Sequence, residues 1–308
     1  MSPPSGASRA WDVVGVGANA VDRVYVLPSS LAGARPDAKL RIEHHVRSCG
    51  GQTATMLATC RRLGARAAYI GTIGSNDDGA LARAELTRCG IDLTYVVTRD
   101  APNPYAVILI DASSGERMVL WDRDERLRLE PHEVPADVIG RARLVHVDDV
   151  DLEAALAAAQ AARRAGVPVT SDIERAAERV DELIAAVTCP IFAEPALADL
   201  TGLADPERAL RRIRRLHPGL LCVTLGSRGA MGLDGDRVIH APSFEVRAVD
   251  TTGAGDVFRG AFAMAWLEER AAADILRFAN AAAAVSCTKV GAMAGAPTRA
   301  EIDALLRA

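Results

Sequence analysis

The chain has 308 residues, 49% of them hydrophobic, and a formal net charge of −4. A sequence of this length fits one large α/β domain or two smaller ones, and its charges of both signs are interspersed, without the basic patch that marks a nucleic-acid-binding protein. No apolar run reaches the roughly 20 residues that span a membrane, so we expect neither a nucleic-acid nor a membrane partner.

The cysteines and the first residues indicate where the protein works. Six cysteines are scattered along the chain without a C-x-x-C pair, a pattern typical of free thiols in a reducing compartment rather than of a disulfide framework or a zinc site. Residues 1–10 are rich in Pro, Ser and Gly and lack the apolar centre of a signal peptide. We therefore predict a disordered tail over residues 1–10, a folded domain over residues 11–308, and a cytoplasmic location.

The first predicted strand, residues 11–16, leads into Gly15-x-Gly17-x-x-Ala20, which is similar to the turn of a dinucleotide-binding fold. An NAD-dependent oxidoreductase of that fold needs a helix directly after the turn. Residues 21–26 instead alternate apolar and polar side chains, which predicts a second strand that leaves the central sheet.

Alternating segments predict a small sheet outside the main fold. They lie near residues 22–28, 39–48, 104–111 and 117–122, and a hairpin turn at 113–115 joins the last two. Arg123 follows the last of these strands, where the hairpin returns. It is either a contact for an anionic or hydroxylated ligand or an ordinary surface charge.

A Gly-Gly pair precedes the first predicted helix, residues 53–63. Backbone without side chains can come close to a ligand, so Gly50 and Gly51, followed by the polar Gln52, are a candidate ligand-binding turn.

From residue 144 onward the chain repeats strand then helix, which predicts a doubly wound, mostly parallel sheet. Ligands of such sheets bind beyond the carboxyl ends of the strands. Asp148 stands at one such end, either as a ligand contact or as part of a solvated acidic turn. The turn Gly226-Ser227-Arg228-Gly229 follows another strand, either as a simple hairpin or as a nucleotide loop.

The stretch Val249–Trp266 reads V-D-T-T-G-A-G-D-V-F-R-G-A-F-A-M-A-W. A β-branched run at residues 246–249 predicts a strand, and a glycine-rich turn and an apolar helix follow. The free N–H groups at such a helix start bind anions, most often phosphate. Asp256 would repel a phosphate unless it takes a proton from the attacking group, as phosphoryl transfer requires. The alternative is that Asp256 only caps the helix.

The motif D-T-T-G-A-G-D resembles the signature of the ribokinase-like, or PfkB, family of carbohydrate kinases. Residues 192–197 and 287–297 look closest to its sulfofructose-kinase-like and ketohexokinase-like branch. The resemblance implies a ribokinase-like α/β fold in which the small sheet is a lid over the sugar. It also implies ATP and Mg²⁺ as cofactors, a small-molecule sugar as partner, and a homodimer that pairs through the lid.

The resemblance also implies roles for individual residues. Asp256 becomes the catalytic base, with an anion-binding turn formed by Gly253, Ala254 and Gly255. Sugar contacts are expected from Asn19, Asp22, Gly50, Gly51 and Gln52, with Asp148 and Arg123 as further candidates. ATP contacts are expected from Thr224, Gly226, Ser227, Gly229, Asn280 and Glu194. A potassium site is implied at Asp250, Thr252, Lys289 and Gly291.

Two departures from the family pattern concern charge. Many members carry Lys and Asn where this chain has Gln52 and Thr55, and many hold magnesium through an N-x-x-E motif whose positions here are Ala193 and Ala196. Glu194 is close enough in sequence to substitute.

The sequence therefore predicts ATP-dependent transfer of the γ-phosphate to a primary hydroxyl of a sugar. A ketohexose or an acidic sugar derivative is favoured, and ribose or a nucleoside is not excluded. The alternative is a non-catalytic protein that binds a sugar or a nucleotide on a kinase fold.

Overall fold

The computed structural model describes residues 9–28, 39–113 and 117–308, and its strands fall into two sheets. The strands are β1 Trp11–Val16, β2 Ala20–Leu27, β3 His44–Gly50, β4 Ala67–Gly74, β5 Asp92–Arg99, β6 Tyr105–Asp111, β7 Arg117–Asp122, β8 Ala142–Asp148, β9 Val169–Ile173, β10 Cys189–Ala193, β11 Leu221–Thr224, β12 Ala230–Asp234 and β13 Arg237–Ala241. The α-helices are α1 Gln52–Arg62, α2 Asp77–Arg88, α3 Ala136–Gly140, α4 Leu152–Arg164, α5 Val180–Ala186, α6 Glu194–Thr201, α7 Pro206–Ile213, α8 Ala254–Leu267, α9 Ala272–Cys287 and α10 Arg299–Arg307. The tail predicted over residues 1–10 and the hairpin turn predicted at 113–115 lie almost entirely outside the described residues.

The main sheet confirms the predicted doubly wound α/β architecture. Its strand order is β13-β12-β11-β10-β9-β8-β1-β4-β5, parallel from β11 to β5 and antiparallel at β12 and β13. Because successive side chains of a strand point to opposite faces, Val13 packs on the side of α1, whereas Val14 and Val16 pack on the side of α4. Both faces are covered, and every residue of β4 is buried, as expected for a parallel sheet between helices.

The second sheet corresponds to the predicted lid, with strand order β3-β2-β6-β7. β2 pairs antiparallel with β3 and parallel with β6, and β7 pairs antiparallel with β6 at the edge. One face buries Val24, Ala106 and Ile108. Every residue of β7 is exposed, so this edge of the lid is open among the described residues.

Two predicted strands are wrong in their bounds or their existence. The strand predicted near residues 39–48 begins only at His44, which pairs with Val26 near the end of β2, and continues to Gly50. The strand predicted at residues 246–249 does not form. The N–H groups of Val249 and Asp250 instead donate to the carbonyl oxygen of Cys287 at the end of α9, at 2.7 and 3.2 Å.

Candidate active site

The glycine-rich turn predicted to bind an anion leads directly into α8. Gly253 has a φ of 76°, a left-handed conformation that favours glycine. It has no side chain to cap the helix, and no described residue accepts a hydrogen bond from the N–H groups of Gly255 and Asp256. These free donors and the partial positive charge of the helix start suit residues 253–256, the candidate anion-binding turn, to an anion.

Asp256 lies in the first turn of α8 with a buried side chain. Burial raises the pKa of this carboxyl group well above its usual value, and the negative charge of Glu174 adds to the rise. The positive charge of Arg259 opposes it, and Asp22 and Asp148 raise it further. A carboxyl group whose pKa moves toward neutrality suits a general base.

Asp172, Glu174 and Arg259 also belong to this site, although sequence reasoning assigned them no role. The carboxylate oxygens of Asp172, Glu174 and Asp256 lie within 4.8 Å of one another. Arg259 forms an ion pair with Asp172, and its Nη1 lies 3.9 Å from Glu174 Oε1. The acidic cluster is therefore balanced by a guanidinium. The sequence feature that could have predicted these two acidic residues is their D-x-E pattern at the carboxyl end of β9, because ligands of such sheets bind at that end.

Asp22 and Gly50 approach the anion-binding turn from the lid. Any Cβ at Gly50 would collide with Asp22 Oδ2 and lie 3.5 Å from the Cβ of Ala292. A Cβ at Gly253 would lie 2.6 Å from that same atom. Ala292 thus joins the glycine turn of the lid to the anion-binding turn. Burial and the neighbouring Asp250 raise the pKa of Asp22 to about 6, while Arg117 acts in the opposite sense.

Asn19 is buried and its amide is fully engaged. Its Nδ2 donates to Tyr69 Oη at 3.0 Å and to the carbonyl oxygen of Thr72 at 2.7 Å, and its Oδ1 accepts from Asn103 Nδ2 at 3.1 Å. The backbone of Asn19 packs directly against Gly51. Asn19 therefore supports the glycine turn through its backbone contact with Gly51.

Asp148 is also buried and engaged within the protein. Its carboxylate accepts from Ala18 N at 2.6 Å, from Thr53 Oγ1 at 2.7 Å and from Val150 N at 3.1 Å. Burial raises its pKa to about 6, although these hydrogen bonds act in the opposite sense. Asp148 thus holds the start of α1 against the end of β1, rather than lying in a solvated acidic turn.

The remaining two candidate sugar contacts, Arg123 and Gln52, differ in the hydrogen-bond partners that they already have within the protein. Arg123 donates to Asp151 through two nitrogens, at 2.9 and 2.6 Å, and to the carbonyl oxygen of Leu127 at 2.6 Å. Gln52 begins α1, and its buried Nε2 has no hydrogen-bond partner among the described residues. Of the two residues, Gln52 is therefore the one with a buried donor that lacks a partner.

The candidate nucleotide loop lies at the carboxyl end of β11. Thr224 ends that strand and donates from Oγ1 to the carbonyl oxygen of Phe192 at 3.3 Å. Gly226 and Gly229 have φ values of 59° and 92° on either side of the exposed Ser227. This edge of the main sheet is where ligands of such folds bind.

Asn280 and Glu194 lie near that edge and both have protein partners. Asn280 Nδ2 donates to the carbonyl oxygens of Ala241 and Pro242, at 2.7 and 3.2 Å. Glu194, at the start of α6, forms an ion pair with Arg228 of the loop after β11. The glutamate therefore ties α6 to the candidate nucleotide loop.

Asp250 connects the anion-binding turn to the loop after α9. Its carboxylate accepts from Thr252 N at 2.8 Å and from Gly291 N at 2.9 Å. The Oγ1 of Thr252 is buried and has no partner among the described residues. Lys289 directs its side chain away, to Glu301 Oε1 at 2.7 Å.

No described helix is long and apolar enough to cross a membrane.

A model of the pfkB family of carbohydrate kinases matches residues 12–299. The chain is 30% identical over 275 residues to the ribokinase of Haemophilus influenzae, which covers 87% of this chain and 90% of that protein. It is 32% identical over 273 residues to the ATP-dependent ribose-1-phosphate kinase of Halopiger xanaduensis. That alignment covers 88% of this chain and 90% of the relative.

A solved structure agrees with these relatives. The ribokinase of Arabidopsis thaliana, complexed with ribose and ATP, matches with a TM-score of 0.80 and 25% identity, and 100% of each chain is covered. Because the family model spans nearly the whole chain and the fold agrees, this chain belongs to the pfkB family of carbohydrate kinases and is a phosphotransferase that acts on an alcohol group.

Proposed function

We propose that this sugar kinase transfers the γ-phosphate of ATP to a primary hydroxyl group of its sugar, with Asp256 as the general base. The observation that carries the proposal is the buried Asp256 carboxylate in the same helical turn as the free N–H groups of Gly255 and Asp256. One turn therefore offers a proton acceptor for the hydroxyl and donors for the transferred group.

The proposed reaction uses few groups of the protein. The hydroxyl oxygen attacks the γ-phosphorus while its proton moves to a carboxylate oxygen of Asp256, and the bond from the γ-phosphorus to the bridging oxygen breaks as ADP leaves. The N–H groups of residues 253–256 stabilise the charge on the transferred group, by roughly 3 kcal/mol for each well-placed donor. Asp22 orients the sugar by accepting hydrogen bonds from its other hydroxyls.

Magnesium bound with ATP supplies positive charge to the phosphates. Ala193 and Ala196 have no ligand atom in their side chains, and Glu194 is engaged by Arg228. We infer that a magnesium ion would be held mostly through water, and that Glu194 would contact it through water. The nucleotide itself would lie along the loop of Thr224, Gly226, Ser227 and Gly229, with Asn280 beside the base.

We propose a potassium ion beside the anion-binding turn. The buried hydroxyl of Thr252, which has no partner among the described residues, is the observation that favours it. The carboxylate of Asp250 and the backbone carbonyls of Lys289 and Gly291 would complete the oxygen ligands. An ion there would fix the orientation of the turn through Asp250.

We propose a ketohexose or an acidic sugar derivative as the substrate, and Arg117 favours the acidic class. Arg117 begins β7 and donates from Nη1 to Thr251 Oγ1, beside the anion-binding turn, at 2.5 Å. Arg117 stands opposite Ile110, which pairs with Val26, so its side chain lies on the same face of the lid as Asp22. Its charge opposes the rise in the pKa of Asp22 that burial and Asp250 cause. One relative is named for a phosphorylated sugar acceptor, ribose-1-phosphate.

Replacing Arg117 by Gln should lower kcat/KM for an acidic sugar by about 10–100-fold, because a hydrogen bond to a charged group contributes about 1.5–3 kcal/mol. The neutral sugar of the same skeleton should change little. Arg128→Gln, at an exposed arginine beyond the lid, is the matched control. An equal loss for both sugars would show that Arg117 does not read the acidic group.

An ADP-release assay over ketohexoses, sugar acids, sugar phosphates, ribose and nucleosides tests the proposed function itself. Turnover with one sugar class supports it. The nucleoside-kinase alternative predicts turnover only with nucleosides, and the non-catalytic alternative predicts binding without turnover across the whole panel. The observed strand β2 already excludes the helix that an NAD-dependent oxidoreductase needs after Gly17.

The KM for the sugar should rise as the pH falls through about 6. Burial and the neighbouring Asp250 raise the pKa of Asp22 to about 6. Above that pH the carboxylate accepts two hydroxyl hydrogen bonds, and below it the protonated group accepts them less well. Sugar KM measured between about pH 5 and 8 checks this, and Asp22→Asn should remove the dependence. A pH profile that persists in that variant would assign it to another group.

We also propose a homodimer that pairs through the lid. The exposed edge strand β7 carries Met118, Val119, Leu120 and Trp121, and Trp121 is 69% exposed. An apolar edge strand of this kind is a template for pairing with another chain.

Leu120→Asp should therefore convert the dimer to a monomer in sedimentation equilibrium. Leu216→Asp introduces the same charge at another exposed leucine, after α7, and should leave the dimer intact. A wild-type monomer, or a dimer that tolerates Leu120→Asp, would contradict pairing through β7.

A further inference from the structure

Arg259 has an unusual position for an arginine. It is 1% exposed and ranks among the largest fully buried side chains of the described residues. It stands three residues after Asp256 on α8, so the two side chains share one side of the helix. Its guanidinium reaches back to the anion-binding turn, because a Cβ on Gly255 would lie 2.7 Å from Nη1. Gly255 thus leaves the space that the guanidinium fills.

The groups that face Asp256 are almost all acidic. They are Asp172 and Glu174 of the β9 segment, Asp22 of β2, Asp148 of β8, and Arg259 of α8 itself. Carboxylates within 4.8 Å of one another cannot all remain ionised without an opposing charge. Among these groups Arg259 alone is positive, and it contacts Asp172 while facing Glu174.

We propose that Arg259 is a positioning residue whose charge, held between Asp172 and Glu174, keeps Asp256 in the carboxylate form that accepts the proton of the sugar hydroxyl. The inference rests on the proposed role of Asp256 as general base. Without the guanidinium, the three carboxylates would share a proton. A protonated Asp256 could not accept the proton of the sugar hydroxyl. Burial and Glu174 raise the pKa of Asp256, and Arg259 is the group that acts against them.

The test compares Arg259→Gln, Asp172→Asn and the double variant with the wild type. Loss of the positive charge should move the acid limb of the kcat–pH profile to higher pH and lower kcat at neutral pH on the order of tenfold. Loss of the Asp172 charge should move the acid limb to lower pH. The double variant loses one charge of each sign and should return close to the wild-type profile. The KM for ATP should change little in all three.

Opposite movement of the two acid limbs is the supporting result, since a purely structural role would lower activity without moving the limbs in opposite directions. An acid limb that stays in place or rises in folded Asp172→Asn would overturn the inference. Removal of Arg259 leaves Asp172 buried without its partner, so thermal unfolding is measured for each variant. If Arg259→Gln does not fold, Asp172→Asn and the double variant decide the question.

A second readout separates this inference from the proposed function. The Asp256 carboxyl is titrated by ¹³C NMR in protein labelled at aspartate, and its resonance is identified by its loss in Asp256→Asn. Opposite shifts of its titration in the two single variants, in a protein that phosphorylates no sugar, would support the charge balance and reject the kinase mechanism. An active kinase in which the Asp256 titration does not respond would reject the role of Arg259 alone.

Discussion

Replacing Asp256 by Asn is expected to lower kcat on the order of 10²–10⁴-fold and to change the KM for ATP little. The amide has the shape of the carboxylate but cannot accept the proton of the attacking hydroxyl. The N–H groups of residues 253–256 remain in place for the phosphates, and the variant removes a negative charge from their surroundings, so nucleotide binding is preserved. Steady-state ADP release at saturating sugar measures kcat, and a titration of ATP gives its KM.

Asp274→Asn is the matched control, because Asp274 lies in the first turn of the neighbouring helix α9 but is exposed. It makes the same chemical change at a helix start outside the site and should keep wild-type kcat. Thermal unfolding of both variants separates a chemical defect from a loss of folded protein. Unchanged turnover in Asp256→Asn would remove this residue from the mechanism.

Local sequence patterns predicted the centre of the fold better than its margins. The alternation in β2 and the apolar run of β1 reflect which side chains are buried, and the polarity of the side chains shows this directly in the sequence. β5 and β13 are the edge strands of the main sheet, and sequence reasoning did not find them. β5 has no fully buried residue, so its pattern is weak, and it is a strand because β4 pairs with it. The β-branched run at 246–249 does not form a strand, because no described strand pairs with it.

The candidate site shows the same division. The motif Asp250–Asp256 identified the anion-binding turn and its carboxylate because their spacing is local. Arg259 was missed because a single arginine in a helix ordinarily indicates a solvated face, and only the tertiary contact with Asp172 shows otherwise. Sequence likewise could not tell that Asn19 and Asp148 use their hydrogen bonds within the protein, since their partners come from distant segments.

Replacing Asp22 by Ala is expected to raise the KM for the sugar by up to about 100-fold, because each hydrogen bond to a charged group contributes about 1.5–3 kcal/mol. Asp22 sits on the lid and packs against Gly50, away from the candidate nucleotide loop after β11, so the KM for ATP should stay within about twofold. Initial rates over a grid of sugar and ATP concentrations give both constants.

Asp122→Ala is the matched control for that variant. Asp122 ends β7 and is exposed. It pairs with Tyr105, which stands opposite Val21, so its side chain lies on the other face of the lid from Asp22. The same loss of a carboxylate from the lid should leave both KM values unchanged. A rise in the KM for ATP alone in Asp22→Ala would show that the sugar lies elsewhere. A rise confined to the sugar places the acceptor between the lid and the Asp256 turn, because Ala292 holds the glycine turns of both within contact distance.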